Sequence, residues 1–142
     1  MINHKTPKNV RYGEPYYVKR DNYGNKLSYV VYERGKNNKA VPIEYKYEYD
    51  SEGNKTAYYR SDGFFNLYEY DKCGDLVYEV DGSVCTGITT EHWYSGKTEI
   101  FRRRVDAETM LVREHRNGVQ TTEYYNPFVR MYSNPLCSQP TI

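Results

Sequence analysis

The chain of 142 residues is short of the side chains from which compact cores are made. Leu, Ile, Val and Phe together number 26, about 18% of the chain, a share that signals disorder only when net charge is also large. Net charge is nearly absent: 20 basic and 19 acidic side chains leave +1 at pH 7. Such a balance offers no long-range field to steer a polyanion, so nucleic acid is not the favoured partner. No run of about 18 apolar residues exists, which argues against a membrane-spanning helix and a membrane role. The opening stretch from Met1 to Lys8 is polar and holds Pro7. It resembles neither a signal peptide nor an amphipathic targeting helix, so a cytoplasmic location is the expectation.

Chemistry-bearing motifs are scarce too. Cys73, Cys85 and Cys137 are odd in number and lack C-x-x-C spacing, a pattern that reads as reduced thiols. His4, His92 and His115 show no metal-ligand spacing; His92 with Cys73 and Cys85 is the one conceivable ligand set, and turn and surface roles explain these residues better. No metal or other cofactor is expected. Neither a phosphate-cradling glycine loop nor a G-x-S-x-G elbow is present, and carboxylates such as Glu69 and Glu79 alternate onto solvated positions. The sequence offers no positive sign of an enzyme.

What the chain has in surplus is tyrosine, 18 residues of it, set in an internal repeat. Tyr47, Glu48, Tyr49, Asp50, Ser51, Glu52, Gly53, Asn54 is followed 21 residues on by Tyr68, Glu69, Tyr70, Asp71, Lys72, Cys73, Gly74, Asp75. The same template fits 17–27 with Asp21 and Gly24, and more loosely 101–111, where Asp106 stands and Thr109 replaces the glycine. A second turn signal follows each unit, at Arg34 and Gly35, Asp62 and Gly63, Asp81 and Gly82, and Asn117 and Gly118. Asp can accept from amides two or three residues on, and Gly takes the positive φ of a tight reversal. Between turns the residues alternate, as in Ile43, Tyr45, Tyr47, Tyr49 against Glu44, Lys46, Glu48, which predicts half-buried strands.

Strands are therefore expected at 16–20, 28–33, 41–49, 55–60, 65–70, 76–80, 88–94, 98–105, 110–115 and 119–125. They make an all-β antiparallel meander of repeated hairpins: one curved sheet, open or completed by a partner. The best helix candidate, 107–116, repeats the hairpin template and is read as strand. An N-terminal arm at 1–15 and a proline-containing tail at 126–142 flank the repeat domain, 16–125.

The Tyr-x-Tyr-Asp-x-x-Gly units over 43–82 resemble the YD repeats of Rhs-type proteins, and are similar to the variant MORN repeats of small antitoxin-like proteins. The resemblance implies stacked hairpins and a tendency to bind or enclose other molecules. It does not imply an activity.

Two clusters stand out as candidate binding residues. Arg102 and Arg104 share one face of their strand while Arg103 takes the other; with Arg113 and the rings of Phe101 and Tyr124 they could form a cationic stacking surface for a nucleotide or phosphate. Cross-strand pairing with Glu99, Glu114 and Glu123 is the competing explanation. Trp93 and Tyr94, beside His92, are the aromatic anchor candidates, with core packing an equal alternative for Trp93. The leading functional expectation is a non-enzymatic binding protein with a protein partner or a second copy as homodimer, as in an immunity protein, an antitoxin or a phage-encoded inhibitor of a defence nuclease. A small phosphorylated ligand is the alternative, and carbohydrate is less favoured because Trp93 is the single tryptophan.

Overall fold

A computed structural model describes residues 4–129; Arg130, Cys137 and most of the 126–142 tail lie outside the described residues. Ten strands form one antiparallel sheet in chain order: β1 (Pro15–Arg20), β2 (Lys26–Arg34), β3 (Ala40–Tyr49), β4 (Lys55–Arg60), β5 (Phe64–Tyr70), β6 (Leu76–Ser83), β7 (Ile88–Ser95), β8 (Thr98–Asp106), β9 (Leu111–Arg116) and β10 (Val119–Tyr125). The sheet does not close, since β1 and β10 are each paired on one side only. The region 107–116 is turn and strand, as its hairpin template implies. No helix among the described residues is long and apolar enough to cross a membrane.

The Asp-x-x-Gly template works through one repeated geometry. Asp50 Oδ1 accepts from the amides of Glu52 at 3.0 Å and Asn54 at 2.9 Å. Asp21 accepts likewise from Tyr23 and Asn25, and Asp71 from Cys73 and Asp75. Gly24, Gly53 and Gly74 hold φ of +89°, +85° and +87°, a region that costs a Cβ-bearing residue energy. The Asn54 amide, with the side-chain and remaining amide donors, outweighs desolvation and holds the Asp50 carboxyl below its ordinary pKa.

The tyrosine before each aspartate has its own role. Tyr49 donates its hydroxyl to the Lys26 carbonyl at 2.8 Å, and Tyr70 donates to the Lys55 carbonyl at 2.7 Å. Lys26 and Lys55 each stand five residues after the turn aspartate of the preceding unit. The Tyr-Asp pair thus ties a unit to its predecessor while its aspartate closes its own turn.

The repeat falls out of phase in the second half. Asp21, Asp50 and Asp71 follow β1, β3 and β5 and lie at one end of the sheet, whereas Asp106 is the last residue of β8 and lies at the other. In its loop the positive φ stands not at Thr109, the position that matches the glycine, but one residue on, at Met110 with +62°. The turn expected at Asp81 and Gly82 is also displaced: both residues sit inside β6, and the chain reverses over 84–87. Gly82 is there for proximity, because a Cβ would stand 2.8 Å from the Ile88 carbonyl and 3.0 Å from the Phe65 ring. Asn117 and Gly118 form the β9–β10 turn with φ of +53° and +78°, the two-residue hairpin geometry.

The core is thin: Val30, Tyr32, Ile43, Ala57, Ala107 and Val112 are its buried hydrophobic members. Every substantial strand contact is with a sequence neighbour, so no described strand layers onto another. The segment before β1 covers part of that end, with Gly13 donating to the Tyr32 carbonyl and the His4 ring stacked on Tyr17. Cys73 is a free, exposed thiol, but Cys85 is disulfide-bonded, which corrects the expectation of reduced thiols at that position.

If the tyrosine hydroxyls tie the units together, Tyr70→Phe should cost about 0.5–1.5 kcal/mol of unfolding free energy. Tyr23→Phe, at a fully projecting turn tip, should cost nothing. Urea denaturation of the two variants beside the parent chain checks both.

Candidate functional site

Directly opposed residues of an antiparallel pair share a face, so the registers assign every strand side chain to one of two surfaces. On one, the tyrosine face, a single row crosses eight strands: Tyr47, Tyr58, Asn66, Asp81, Thr90, Arg104, Arg113, Glu123. A parallel row carries Tyr68, Glu79, His92, Arg102, His115 and Gln120. The face changes character along the sheet, from rings over β2–β5 through carboxylates on β6 to guanidiniums on β8 and β9.

The aromatic half is a ladder. Tyr29 and Tyr45 stack at 4.9 Å, Tyr47 and Tyr58 lie 5.4 Å apart, and the Tyr29 and Tyr47 hydroxyls meet at 2.9 Å. Lys26 and Lys55 place their ammonium groups over Tyr29 and Tyr47, and Arg60 lies over Tyr45 and Phe64. Burial, reinforced by the hydrogen bond between the Tyr47 and Tyr29 hydroxyls, pushes Tyr47 well above its ordinary pKa.

The middle of the face is a hydrogen-bonded network. Glu79 accepts from Asn66 at 3.0 Å and from the Tyr94 hydroxyl at 3.1 Å. Burial and the Glu79 charge push Tyr94 up to about 12. His92 is held between two carboxylates, Nε2 at 2.8 Å from Asp81 and Nδ1 at 3.0 Å from Glu99. Burial by itself would lower its pKa, but the bonds to Glu99 and Asp81 and their charges prevail and raise it.

Beyond this network lies a groove of about 650 Å³, lined by Asp81, Thr90, His92, Arg102, Arg104, Arg113, His115, Gln120 and Glu123. Arg102 stands 3.5 Å from Glu99, and Arg113 is 2.8 Å from Glu123. Arg104 is exposed and has no ion pair, hydrogen bond or ring contact among the described residues. The His115 Nδ1 is buried without a partner.

Of the sequence-derived candidates, Tyr94, Arg102, Arg104 and Arg113 come together on the tyrosine face. Trp93 and Tyr124 do not: both lie on the reverse face, Trp93 between Tyr78 and Phe101 at 5.2 and 5.1 Å, and Tyr124 opposite Val112. Phe101 likewise faces away from Arg102 and Arg104, and takes Arg103 and Arg116 over its ring instead. Cross-strand pairing accounts for Arg103, which lies 3.7 Å from Glu91 and 3.1 Å from Glu114. The groove residues not singled out from sequence are Asp81, Thr90, His92 in this role, His115, Gln120 and Glu123. Parity within β7 would have added Thr90 and His92, but Gln120 and Glu123 reach the groove across a β10 register shift that no periodicity signals. Among the described residues no group of three or more His, Cys, Asp or Glu side chains is arranged to hold a metal ion.

Comparison with protein-family models finds no match, and comparison with curated proteins finds no significantly similar sequence.

His92 makes stability depend on pH in a stated direction. Its folded-state pKa lies above the unfolded value near 6.5, so the contribution is complete below about pH 6.5 and fades as pH rises through the folded value. Urea denaturation from about pH 6 to about pH 8.5 should show the parent chain losing stability, with a flatter profile for His92→Gln.

Proposed function

We propose that this chain is a non-enzymatic β-repeat protein that works by binding another protein across the aromatic half of its tyrosine face. The observation that carries this reading is the single-layer architecture. A sheet normally buries a face against a second layer of structure, yet here each described strand packs substantially against its chain neighbours alone. The face left to an outside partner carries Tyr29, Tyr45, Tyr47, Tyr58 and Tyr68, rigid amphipathic rings of the kind that protein interfaces collect. Phe64 at the margin of the ladder is 47% exposed.

The resemblance of the repeats to YD and MORN-type units supports a role as an immunity protein or antitoxin, or as a phage-encoded inhibitor of a defence nuclease. Each of these acts by covering a partner's surface and needs no catalytic group of its own. Carbohydrate binding is less well supported, since the one tryptophan lies between Tyr78 and Phe101 on the reverse face.

Lysines distinguish the faces. Lys26 and Lys55 lie over rings of the tyrosine face, and Lys46, paired with Glu44, lies on the reverse face. When the chain is isolated with its partner from native cells, acetylation footprinting should show Lys26 and Lys55 protected and Lys46 reactive. A second copy as partner gives the same pattern with a dimeric mass. Equal reactivity of all three lysines, with a monomeric sedimentation coefficient, would sink the reading.

A further inference from the structure

The groove on the tyrosine face differs from the charged row behind it on the reverse face in how its charges are ordered. On the reverse face the row Glu91, Arg103, Glu114 alternates in sign, and the arginine is held from both sides at 3.7 and 3.1 Å. One residue along, on the tyrosine face, the row reads Thr90, Arg104, Arg113, Glu123. Two guanidiniums stand in directly opposed positions with no carboxylate between them. Opposed residues bring their Cβ atoms to about 4.5–5.5 Å, a separation at which like charges destabilise a sheet.

The neighbours do not relieve this. Arg113 leans outward to Glu123, and Arg102 is held by Glu99. Arg104 has no partner among the described residues, and residues 1–3 and 130–142 include no aspartate or glutamate side chain to supply one. An arrangement that is unfavourable alone becomes favourable when an anion enters between the two guanidiniums.

We propose that this groove binds a phosphate monoester, with Arg104 and Arg113 clasping the phosphate. A carboxylate brings one charge and two oxygens, which a single guanidinium satisfies. A phosphate monoester carries nearly two charges at neutral pH and three terminal oxygens, and planar guanidinium forks match phosphate oxygens in pairs. The groove's volume of about 650 Å³ is within the range of small-ligand sites. Asp81 and Glu123 lie at the two ends of the Thr90–Arg104–Arg113 stretch. They would repel a continuous polyanion, and they leave room at the centre for one phosphate on a polar body whose hydroxyls meet Asp81, Thr90 and Gln120. The site thus selects a small, singly phosphorylated molecule over a nucleic-acid strand. It is separate from the ring ladder offered to a protein partner, so either assignment can fail without the other.

The test is urea unfolding in chloride buffer at constant ionic strength, with inorganic phosphate, ribose 5-phosphate or ribose added. Both phosphate compounds should stabilise the parent chain saturably, lowering the unfolding constant about elevenfold at ten times Kd, and ribose should not. Arg104→Gln should lose the phosphate response while being at least as stable as the parent in chloride, because it removes a like-charge neighbour. Arg103→Gln should lose stability, since it breaks two ion pairs, but keep the response. The proposal is overturned if the parent shows no saturable response, if inorganic phosphate acts but ribose 5-phosphate does not, if Arg104→Gln still responds, or if that variant is destabilised in chloride.

Discussion

Because each strand is hydrogen-bonded only to the strand before it and the strand after it, a side chain's face and its neighbours follow from two quantities: its parity along the strand and the register of the adjoining hairpins. No second layer of described strands presses on the sheet. The turns therefore carry unusual weight. An Asp-x-x-Gly turn that closes with two amide bonds to one carboxylate oxygen sets a register, and that register decides whether a ring meets a ring or a charge meets a charge. Shifting one hairpin by a residue would send its side chains to the opposite surface.

Tyrosine suits this constraint better than leucine would. A half-covered sheet wants side chains with an apolar body and a tip that can stay wet or find a partner. The hydroxyls of Tyr49, Tyr70, Tyr78 and Tyr94 reach backbone carbonyls or carboxylates on neighbouring strands. The rings of Tyr29, Tyr45, Tyr47 and Tyr58 pack against one another across three strands, stacked between Tyr29 and Tyr45 and tilted at Tyr58. Cohesion is thus spread through neighbour-to-neighbour contacts, and the small set of fully buried aliphatics is sufficient because no deep core has to be filled.

The same logic divides the sheet by chemistry. Where the repeat is regular, both the turn chemistry and the tyrosine tie recur, and the face is aromatic. Where the hairpin of β7 and β8 shifts the phase, the tie is lost and polar residues take over: the Glu79 network, His92 between Asp81 and Glu99, and the arginines beyond. The reverse face keeps its charges balanced through Glu91, Arg103 and Glu114, and uses Trp93 for packing. The arginines of the tyrosine face are the exception to that balance.

Much of this was written in local pattern. Turn residues at Asp21, Asp50 and Asp71, period-two alternation and the Tyr-Asp repeat were enough to expect ten strands, an antiparallel meander and opposite faces for Arg103 and its two neighbours, because all of these depend on residues close in the chain. What sits beside a residue on the next strand was not legible. Trp93 and Tyr124 lie away from the arginines, Gly82 belongs to a strand that passes close to Phe65, and the Arg104–Arg113 pairing and the His92 clamp join residues brought together by hairpin register. Bulges shift that register, and they leave no periodic trace. Local chemistry therefore determined which elements form, and the tertiary structure alone decided which charges face each other without a carboxylate between them.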